Sequence, residues 1–541
     1  MNNIIPKPTN ENILSYSPGS SEKNSLKAKI KQLKSENIKV PLIIDGEEVT
    51  TGTMGKIRCP HDHQNILGEF YQATEKEVNL AIDSSLKAWK SWSNIDLYSR
   101  AEIFLIAADL LSGPWRDTIN AATMLNMSKN VFQSEIDAAC ELIDFFRFNA
   151  WYAQELAEHQ PMYSPDGVQN SLELRPLEGF VFAISPFNFT SIGGNLPTAP
   201  ALMGNVAVWK PASSAVLPAY YIMQLLIEAG LPPGVINFIP GKGNKVGPAA
   251  INNPNLAGIH FTGSTRVFQS MWETIGTNIS AYKSYPRIVG ETGGKDFCIA
   301  HESVNIEALV TAMVRGAFEY QGQKCSAMSR AYIPKSIWDQ VEEKFVAEVK
   351  TIKVGDPEDF SNFMNAVIDK NAYNSIIEFI DYASDSKDAE IITGGQYNDE
   401  KGYFIEPTTI LTTNSKFKTM CEEIFGPVLT IFLYDPENWN ETLDLVNTTS
   451  EYALTGCVMG EDKKALNEAK DLLIHAAGNF YINDKPTGAV VGQQPFGGSR
   501  ASGTNDKAGS MFNLVRWVSM RTVKKTLDPP KNFRYPFMEE K

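Results

Sequence analysis

The sequence has few cysteines and few histidines, six of each in 541 residues. No two cysteines form a Cys-x-x-Cys pair, so a disulfide framework is not indicated and the free thiols suit a reducing compartment. Only His61 and His63 lie close together, and neither a nearby cysteine nor a His-Glu-x-x-His pattern accompanies them. We therefore expect no metal site.

Long apolar runs and a surplus of basic residues are also absent. No stretch approaches the roughly 18 to 20 apolar residues that a bilayer requires, so we expect no membrane partner. The formal net charge of −14 argues against a general nucleic-acid partner. The first forty residues lack arginine and include Pro6 and Pro8, which is atypical of a secretory or transit peptide.

The chain does have enough apolar residues for a large core. Hydrophobic residues make up 43% of it, and its length suggests about three structural units. Helical periodicity dominates residues 75–156, whereas beyond Gly179 helical stretches alternate with short apolar runs of strand type. These runs are residues 180–184, 206–210, 235–240 and 259–262. Such alternation predicts an α/β fold with a parallel sheet, whose carboxyl edge can bind a dinucleotide.

One cysteine lies in a segment that suggests catalysis. Cys325 follows Gly322-Gln-Lys in a glycine-containing turn, and Glu291 precedes it by 325 − 291 = 34 residues. A buried cysteine is most often a packing residue, but Gln323, Lys324 and Ser326 around the thiol, at a predicted helix start, make its surroundings partly polar and electropositive, which favours a thiolate. A thiol nucleophile with a carboxylate base can attack a carbonyl and then hydrolyse the product, if a hydride acceptor intervenes. A nicotinamide cofactor would supply that acceptor.

Three segments resemble the signature motifs of the NAD(P)-dependent aldehyde dehydrogenase superfamily, in the same order and at similar spacing. They are residues 291–295 (Glu-Thr-Gly-Gly-Lys), 322–325 (Gly-Gln-Lys-Cys) and 423–427 (Glu-Ile-Phe-Gly-Pro). Residues 185–190 and 487–506 are similar to the branch that oxidises L-glutamate γ-semialdehyde, and the likeness runs from about residue 11 to the C-terminus. The resemblance implies an aldehyde dehydrogenase fold with a Rossmann-like NAD-binding domain and an α/β catalytic domain.

The resemblance also implies the catalytic residues. Cys325 would be the nucleophile, and Glu291 would activate the water that hydrolyses the thioester, giving a free acid. The side-chain amide of Asn188 and the backbone N–H of Cys325 would form the oxyanion hole.

The resemblance implies NAD as the cofactor, held by residues from four segments. They are Ser185, Lys210, Gly263, Ser264, Thr265, Arg266, Val267, Glu423 and Phe425. Two positions depart from the pattern: Ser213 stands where many relatives have a glutamate that rejects NADP, and Phe268 stands where many have glycine. The preference for NAD over NADP and the close packing of the helix at Phe268 against the cofactor are therefore open.

For the substrate, the resemblance implies an anchor for an α-carboxylate at Ser326, Gly488 and Ala489. Phe189 and Phe496 would pack on the aliphatic chain. Glu141 either lines the aldehyde site or lies on a solvated helix face, and both interpretations remain open.

These expectations combine into one hypothesis: oxidation of L-glutamate γ-semialdehyde, formed from Δ1-pyrroline-5-carboxylate, to L-glutamate in the second step of proline catabolism. The length leaves no room for a fused proline dehydrogenase. The alternatives are another semialdehyde dehydrogenase and a catalytically silent binding protein. The resemblance implies a homodimer or larger homo-oligomer, in the mitochondrial matrix of a eukaryote or otherwise in the cytoplasm.

We predict the following domain boundaries. Residues 1–35 form an N-terminal arm, 36–159 and 176–289 the NAD-binding domain, and 290–511 the catalytic domain. Residues 160–175, interpreted as a β-hairpin, form the oligomerisation element with 512–541.

Overall fold

The computed structural model describes residues 4–539. Its strands are, in chain order, β1 (Ile38–Val40), β2 (Leu42–Ile44), β3 (Glu47–Val49), β4 (Met54–Cys59), β5 (Asp62–Tyr71), β6 (Val168–Pro176), β7 (Phe180–Ile184), β8 (Val206–Lys210), β9 (Ile236–Phe238), β10 (Leu256–Thr262), β11 (Arg287–Glu291), β12 (Asp296–Ala300), β13 (Met328–Pro334), β14 (Ala389–Thr393), β15 (Tyr397–Asn398), β16 (Phe404–Ile405), β17 (Thr408–Thr412), β18 (Val428–Tyr434), β19 (Tyr452–Ala453), β20 (Thr455–Met459), β21 (Asn479–Ile482), β22 (Ser499–Arg500) and β23 (Val518–Thr526).

The α-helices are α1 (Ser21–Ser35), α2 (Glu75–Trp92), α3 (Leu97–Ser112), α4 (Arg116–Met127), α5 (Val131–Ser134), α6 (Glu141–Glu158), α7 (Thr190–Leu202), α8 (Val216–Glu228), α9 (Gly243–Ile251), α10 (Thr265–Thr277), α11 (Ile306–Phe318), α12 (Trp338–Val349), α13 (Lys370–Ser384), α14 (Lys418–Cys421), α15 (Trp439–Thr448), α16 (Lys463–Leu472) and α17 (Met511–Leu514). A π-helical turn, Glu135–Cys140, leads into α6. Across residues 4–539, every helix is too short or too polar to cross a membrane.

The first large sheet has seven strands in the order β11-β10-β7-β8-β9-β2-β3. The five strands from β7 to β11 are parallel to their neighbours, while β2 and β3 extend the sheet in antiparallel fashion. Strands β7 and β10 are buried along their whole length, as expected for a parallel sheet covered on both faces. The strand order reverses between β7 and β10, and in such sheets the ligand crevice opens at that point, beyond the carboxyl ends.

The second large sheet has the order β14-β17-β18-β13-β12-β20-β21. All its neighbouring strands are parallel except the edge strand β14. Separate apolar clusters pack around it, one including Ile376 and Leu443 and the other including Leu309 and Phe345. The expected α/β architecture is confirmed, with two parallel sheets.

A two-stranded ribbon replaces the hairpin predicted within residues 160–175, and that prediction is wrong. Strand β6 pairs over nine residues with β23 near the C-terminus. Residues 160–164 fold back beside β6, but their hydrogen bonds to β6 involve side chains and do not form a backbone ladder. Gln160 contacts both the N–H and the carbonyl of Leu172, and Ser164 accepts from the Asn170 N–H. The β23 backbone offers a continuous ladder, which the Pro161-containing segment cannot match.

The N-terminal segment packs against helices. Helix α1 begins at Ser20, whose side chain accepts from the Lys23 N–H, and it buries Leu26, Ile30 and Leu33 along one face. Before α1 the chain runs in extended form, and the Ile5 N–H donates to Gln154 of α6. This path brings residues 5–16 close to α6.

Candidate active site

Cys325 lies in a turn between a 3₁₀ helix, Glu319–Gly322, and strand β13. The backbone of Tyr320, Gln321 and Gly322 is left-handed, with φ values of 50°, 56° and 66°. At Gly322 a Cβ atom would stand 2.1 Å from the Gly426 carbonyl oxygen, so only glycine fits there. The predicted helix start at Cys325 is therefore wrong, because three consecutive left-handed residues turn the chain into β13 instead.

Side chains from the preceding turn attach the Cys325 loop to the first half of the chain. The Tyr320 hydroxyl donates to the Met127 carbonyl at 3.1 Å. The Gln321 amide donates to the Ser128 carbonyl at 3.0 Å and to the Ala366 carbonyl at 2.8 Å. These bonds hold a strained loop in one geometry, as expected where a nucleophile must be positioned.

The Cys325 thiol lies in an acidic environment. Burial, together with the carboxylates of Asp296, Glu291 and Glu423, raises the pKa of Cys325 well above its ordinary value. Lys324 was expected to favour the thiolate, but it is buried and pairs with Glu319 at 3.1 Å, which neutralises its charge. The prediction of an electropositive thiol is thus wrong for the free protein. The raised pKa favours the neutral thiol over the thiolate, so the thiol must lose its proton to a base before it attacks.

Glu291 ends strand β11, beside the first sheet's carboxyl edge. Burial raises the pKa of its carboxyl well above the usual value, Lys507 opposes the shift, and Asp506 reinforces it. Its Oε2 atom is buried and has no hydrogen-bond partner among the described residues. A Cβ at Gly497 would lie 2.8 Å from Oε1, so glycine leaves room for the carboxylate. A buried oxygen without a partner is available to accept a proton from water.

Asn188 follows β7 and is also buried. Its amide nitrogen donates to the Gln323 carbonyl at 3.1 Å, two residues before Cys325. Gln323 in turn accepts from the Ile368 N–H at 2.9 Å through its side chain. The structure therefore brings the Asn188 amide to the Cys325 loop, although 325 − 188 = 137 residues separate them.

Replacing Asn188 with alanine is expected to lower kcat by roughly 10²- to 10³-fold, because one oxyanion donor is lost. Steady-state NADH formation measures the rate, and fluorescence titration with NAD shows whether the cofactor edge is intact. Asn188→Asp is the matched variant, since it keeps the shape but has no amide donor, and it should be as slow as Asn188→Ala. A rate close to the unmodified protein in either variant would remove Asn188 from the reacting centre.

The carboxyl edge of the first sheet collects residues predicted to hold the cofactor. The Ser185 hydroxyl accepts from the Trp209 indole at 2.5 Å and donates to the Gly193 carbonyl. Both hydrogen bonds of this hydroxyl are therefore made to other residues of the protein. Lys210 ends β8, burial lowers its pKa to about 8, and a Cβ at Gly243 would lie 4.0 Å from its Cε.

Helix α10 begins at this edge without a side-chain cap. Ser264, Arg266 and Val267 are exposed there, while Thr265 accepts from the Gly293 N–H at 3.3 Å. A Cβ at Gly263 would lie 2.7 Å from the Phe261 ring. Uncapped N–H groups at an exposed helix start suit a phosphate, so this end of α10 fits a pyrophosphate.

The departure at Phe268 does not loosen the helix. Phe268 is buried and stacks on Phe261 with ring centroids 5.4 Å apart and an interplanar angle of 15°. Gly290 makes room for the ring, since a Cβ there would lie 2.3 Å from it. The aromatic pair therefore fixes α10 against β10 and β11, while the packing of this helix against the cofactor stays an open question.

Glu423 and Phe425 come from the loop before β18. The Glu423 carboxylate accepts from the Gly294 N–H at 2.8 Å, and burial raises its pKa to about 7. A Cβ at Gly293 would lie 2.5 Å from this carboxylate, which explains why the segment needs glycine. Phe425 has left-handed backbone, with φ of 57°, and meets the Phe187 ring edge-on at 5.7 Å. The loop thus joins the motif around Gly294 to the residues after β7.

The predicted carboxylate anchor forms one contact region. The Ser326 hydroxyl lies 2.8 Å from the Thr487 hydroxyl, directly before Gly488 and Ala489. Gly488 has φ of +93° and is exposed, and Ala489 is half-buried. The ammonium group of Lys485, which sequence reasoning missed, donates to the Thr487 carbonyl at 3.1 Å.

The two predicted aromatic residues occupy different positions. Phe496 is half-buried, and its backbone pairs with Ala508 in both directions. Phe189 is the residue before α7, and the Lys129 ammonium lies 4.4 Å from the centre of its ring.

Lys129 is fully buried, also lies over the Tyr320 ring, and pairs with Asp137 at 2.7 Å. Sequence reasoning missed Lys129, because its partners come from distant segments.

Glu141 does not lie on a solvated helix face, so that alternative is wrong. It is half-buried at the start of α6 and accepts from the Ser191 hydroxyl at 2.5 Å. Burial and the charge of Asp137 raise the pKa of Glu141 to about 8. Its role in the aldehyde site remains a prediction.

His61 and His63 have separate partners. The His63 Nε2 atom lies 2.7 Å from the Asp399 carbonyl, and the His61 Nε2 atom lies 3.8 Å from Asp356. Glu358, next to Asp356 and His61, is paired with Lys34. The two histidines therefore do not converge on one site.

The aldehyde dehydrogenase family model matches residues 48–523. The chain belongs to the aldehyde dehydrogenase family. Its sequence is 51% identical over 536 residues to the mitochondrial delta-1-pyrroline-5-carboxylate dehydrogenase of Dictyostelium discoideum, covering 99% of this chain and 96% of that one. It is 47% identical over 534 residues to the mitochondrial enzyme of the same name from Mus musculus, covering 98% and 95%.

Solved structures of this family have the same fold. The delta-pyrroline-5-carboxylate dehydrogenase of Mycobacterium tuberculosis, bound with NAD, superposes with a TM-score of 0.96 at 48% identity, covering 99% of each chain. The aldehyde dehydrogenase fold expected from the motifs is thereby confirmed, including the Rossmann-like arrangement of the first sheet.

Proposed function

We propose that this protein oxidises L-glutamate γ-semialdehyde, formed by ring opening of Δ1-pyrroline-5-carboxylate, to L-glutamate with NAD. This reaction is the second step of proline catabolism. One observation carries the proposal: the Cys325 loop contacts Asn188 on one side and, through Ser326, the Thr487-Gly-Ala segment on the other. These contacts support a site in which Cys325 is the thiol, Asn188 the amide donor and the Thr487-Gly-Ala segment the carboxylate anchor. Relatives at 51% and 47% identity carry the name of this activity.

The first half of the reaction needs a nucleophile and an oxyanion donor. Cys325 loses its proton to a base and its sulfur adds to the aldehyde carbon, forming a thiohemiacetal whose oxygen carries the new charge. The Asn188 amide and the Cys325 N–H donate to that oxygen. Bound NAD would supply the acceptor for the hydride that leaves this carbon. A thioester on Cys325 remains.

The second half is hydrolysis of the thioester. Glu291 takes a proton from water, the hydroxide adds to the thioester carbon, and Cys325 leaves as the thiolate. The unpartnered Oε2 atom of Glu291 supports this role. Its raised pKa means that the carboxylate form, which the step needs, grows with pH.

The NAD site fits the residues at the carboxyl edge of the first sheet. The uncapped start of α10 would hold the pyrophosphate, Lys210 the adenosine ribose and Glu423 the nicotinamide ribose. Ser213 starts a 3₁₀ turn after β8 and offers a hydroxyl in place of a carboxylate. It gives NADP no electrostatic rejection, so discrimination against NADP should be weaker than with a glutamate there.

Substituting leucine for Ala489 is expected to raise KM for glutamate semialdehyde strongly, because a carboxylate needs close access to backbone N–H groups. An aldehyde without an α-carboxylate, such as propionaldehyde, should be oxidised with nearly unchanged KM. Initial rates of NADH formation over a concentration series of each aldehyde measure the difference.

Val490→Leu is the matched control, since it adds bulk one residue further along at an exposed position. It should leave both KM values unchanged. Equal losses for both aldehydes in Ala489→Leu would mean that this loop does not bind the carboxylate.

We propose that the chain forms a homodimer or larger homo-oligomer through the β6–β23 ribbon and the C-terminal segment. A two-stranded ribbon is marginally stable unless something packs on it. Phe533, Tyr535 and Phe537 are exposed near it in sequence, as is Met162 before β6. Multi-angle light scattering tests the assembly, and a monomeric mass would contradict it.

The domain boundaries stay those proposed from the sequence: an arm to residue 35, the NAD-binding domain to residue 289 without the 160–175 insertion, and the catalytic domain to residue 511. For a eukaryotic source we infer the mitochondrial matrix, since the D. discoideum and M. musculus relatives are named mitochondrial. For a bacterial source we infer the cytoplasm. Fractionation followed by immunoblotting distinguishes these compartments.

A further inference from the structure

The extended N-terminal segment touches the loop that carries the proposed carboxylate anchor. The Asn10 amide nitrogen donates to the Val491 carbonyl at 2.7 Å, two residues after Ala489. The side-chain oxygen Oδ1 of Asn10 accepts from the Gln493 side-chain amide at 2.9 Å. One side chain thus bonds both the main chain and a side chain of this loop, from 481 residues away in sequence.

The anchor loop, residues 488–494, is a tight turn whose backbone conformation is restricted by hydrogen bonds and by a glycine. The N–H groups of Gln493 and Gln494 both donate to the Val490 carbonyl at 3.0 Å. Gly492 has φ of +82°, and a Cβ there would lie 2.1 Å from the Phe148 ring of α6. Movement of the turn away from α6 would therefore shift Gly488 and Ala489 as well.

Asn10 is itself held firmly. Its amide nitrogen also donates to Asp144 of α6 at 2.8 Å, and the same carboxylate accepts from the Glu11 N–H at 2.8 Å. The Glu11 carboxylate pairs with Arg116 at 2.9 Å and with Arg147 at 2.6 Å. Asp144 is buried, so these bonds form in a site with little water. The N-terminal segment can therefore act as a fixed support.

We propose that Asn10 is a positioning residue for substrate specificity, linking α6 to the anchor loop and fixing the backbone N–H groups of Gly488 and Ala489 for an α-carboxylate. This inference rests on the proposed function, since it needs that loop to bind the carboxylate. A displacement of about 1 Å at a binding group can cost up to roughly 10²-fold in rate. Loss of the Asn10 contacts alone should lower the rate by less than this roughly 10²-fold limit.

Asn10→Ala in the full chain is expected to raise KM for glutamate semialdehyde roughly 5- to 20-fold, with kcat and the NAD KM within about twofold. The KM for propionaldehyde should stay within about twofold, because it has no carboxylate to place. Asn10→Asp keeps the size but loses both amide donations and faces Asp144, so it should be at least as impaired. A role in packing alone would be restored by this isosteric variant.

Asn12→Ala is the matched control, since the Asn12 side chain is exposed and its contacts use the backbone carbonyl. It should behave like the unmodified protein. Gln493→Ala removes the link from the loop side and should show a smaller change of the same kind, which keeps the test valid if Asn10 variants fold poorly.

Equal KM changes for both aldehydes, or no change in either, would overturn the positioning role. Failure of the proposed function looks different: the unmodified protein would then show no preference for glutamate semialdehyde over propionaldehyde.

Discussion

Replacement of Cys325 with alanine should abolish aldehyde oxidation, with at least roughly a 10⁴-fold loss of kcat, while NAD still binds. The variant loses the only atom that forms the covalent bond to the substrate, so neither hydride release nor thioester hydrolysis can occur. The cofactor edge, built from β7, β8 and the start of α10, does not depend on the thiol. Absorbance of NADH measures turnover, and fluorescence titration measures NAD binding.

Cys298→Ala is the matched control, because it removes a buried thiol from β12, the strand that pairs with β13 after the Cys325 turn. It should keep activity, apart from any small loss of stability. Appreciable turnover by purified Cys325→Ala would contradict the nucleophile assignment. Loss of NAD binding together with activity would mean that the substitution disturbs the whole loop.

Glu291→Gln should give a burst of NADH equal to about one equivalent per site, followed by turnover slowed by roughly 10²- to 10⁴-fold. Acylation precedes hydrolysis, so hydride transfer can finish once before the thioester accumulates. Stopped-flow absorbance resolves the two phases.

The unmodified protein should also gain turnover as pH rises above the usual carboxyl range, because burial raises the pKa of Glu291 and the carboxylate is the active form. The glutamine variant should lack this rise.

Loss of the burst in Glu291→Gln would place Glu291 earlier, as the base that deprotonates Cys325. Such an early role is physically consistent, because the Cys325 thiol has a raised pKa and needs a base in the first step. A normal steady state in the variant would remove Glu291 from catalysis altogether.

Much of the fold could be predicted from local sequence. The apolar runs at 180–184 and 206–210 coincide with β7 and β8, and the runs at 235–240 and 259–262 overlap β9 and β10. Continuous burial on both faces of a parallel strand leaves this clear signature. Residues 160–175 were associated with the C-terminal segment only through the family resemblance, because β23 lies far along the chain from β6 and local sequence does not show which strands pair.

The site residues were selected by their motifs, but their electrostatics were not predictable. Lys324 beside Cys325 suggested a positive environment, yet its charge is neutralised by Glu319 within the same turn. The carboxylates of Glu291 and Asp296, from one segment, and of Glu423, from another, also raise the pKa of the thiol. The contact of Asn10 with Val491 could not be predicted either, since nothing in the local sequence of Asn10 indicates it. Long-range convergence of side chains is set by packing and leaves no local pattern.

The most direct test of the proposed activity compares two aldehydes under the same conditions. NADH formation by the purified protein is measured with Δ1-pyrroline-5-carboxylate, in equilibrium with glutamate semialdehyde, and with succinic semialdehyde, which lacks the α-amino acid group. The account predicts that kcat/KM is at least roughly tenfold higher for the first, since the proposed anchor at Ser326, Gly488 and Ala489 would hold its α-carboxylate, whereas the carboxylate of succinic semialdehyde lies one carbon closer to the aldehyde. A higher kcat/KM for succinic semialdehyde, or no NADH with either substrate, would contradict it.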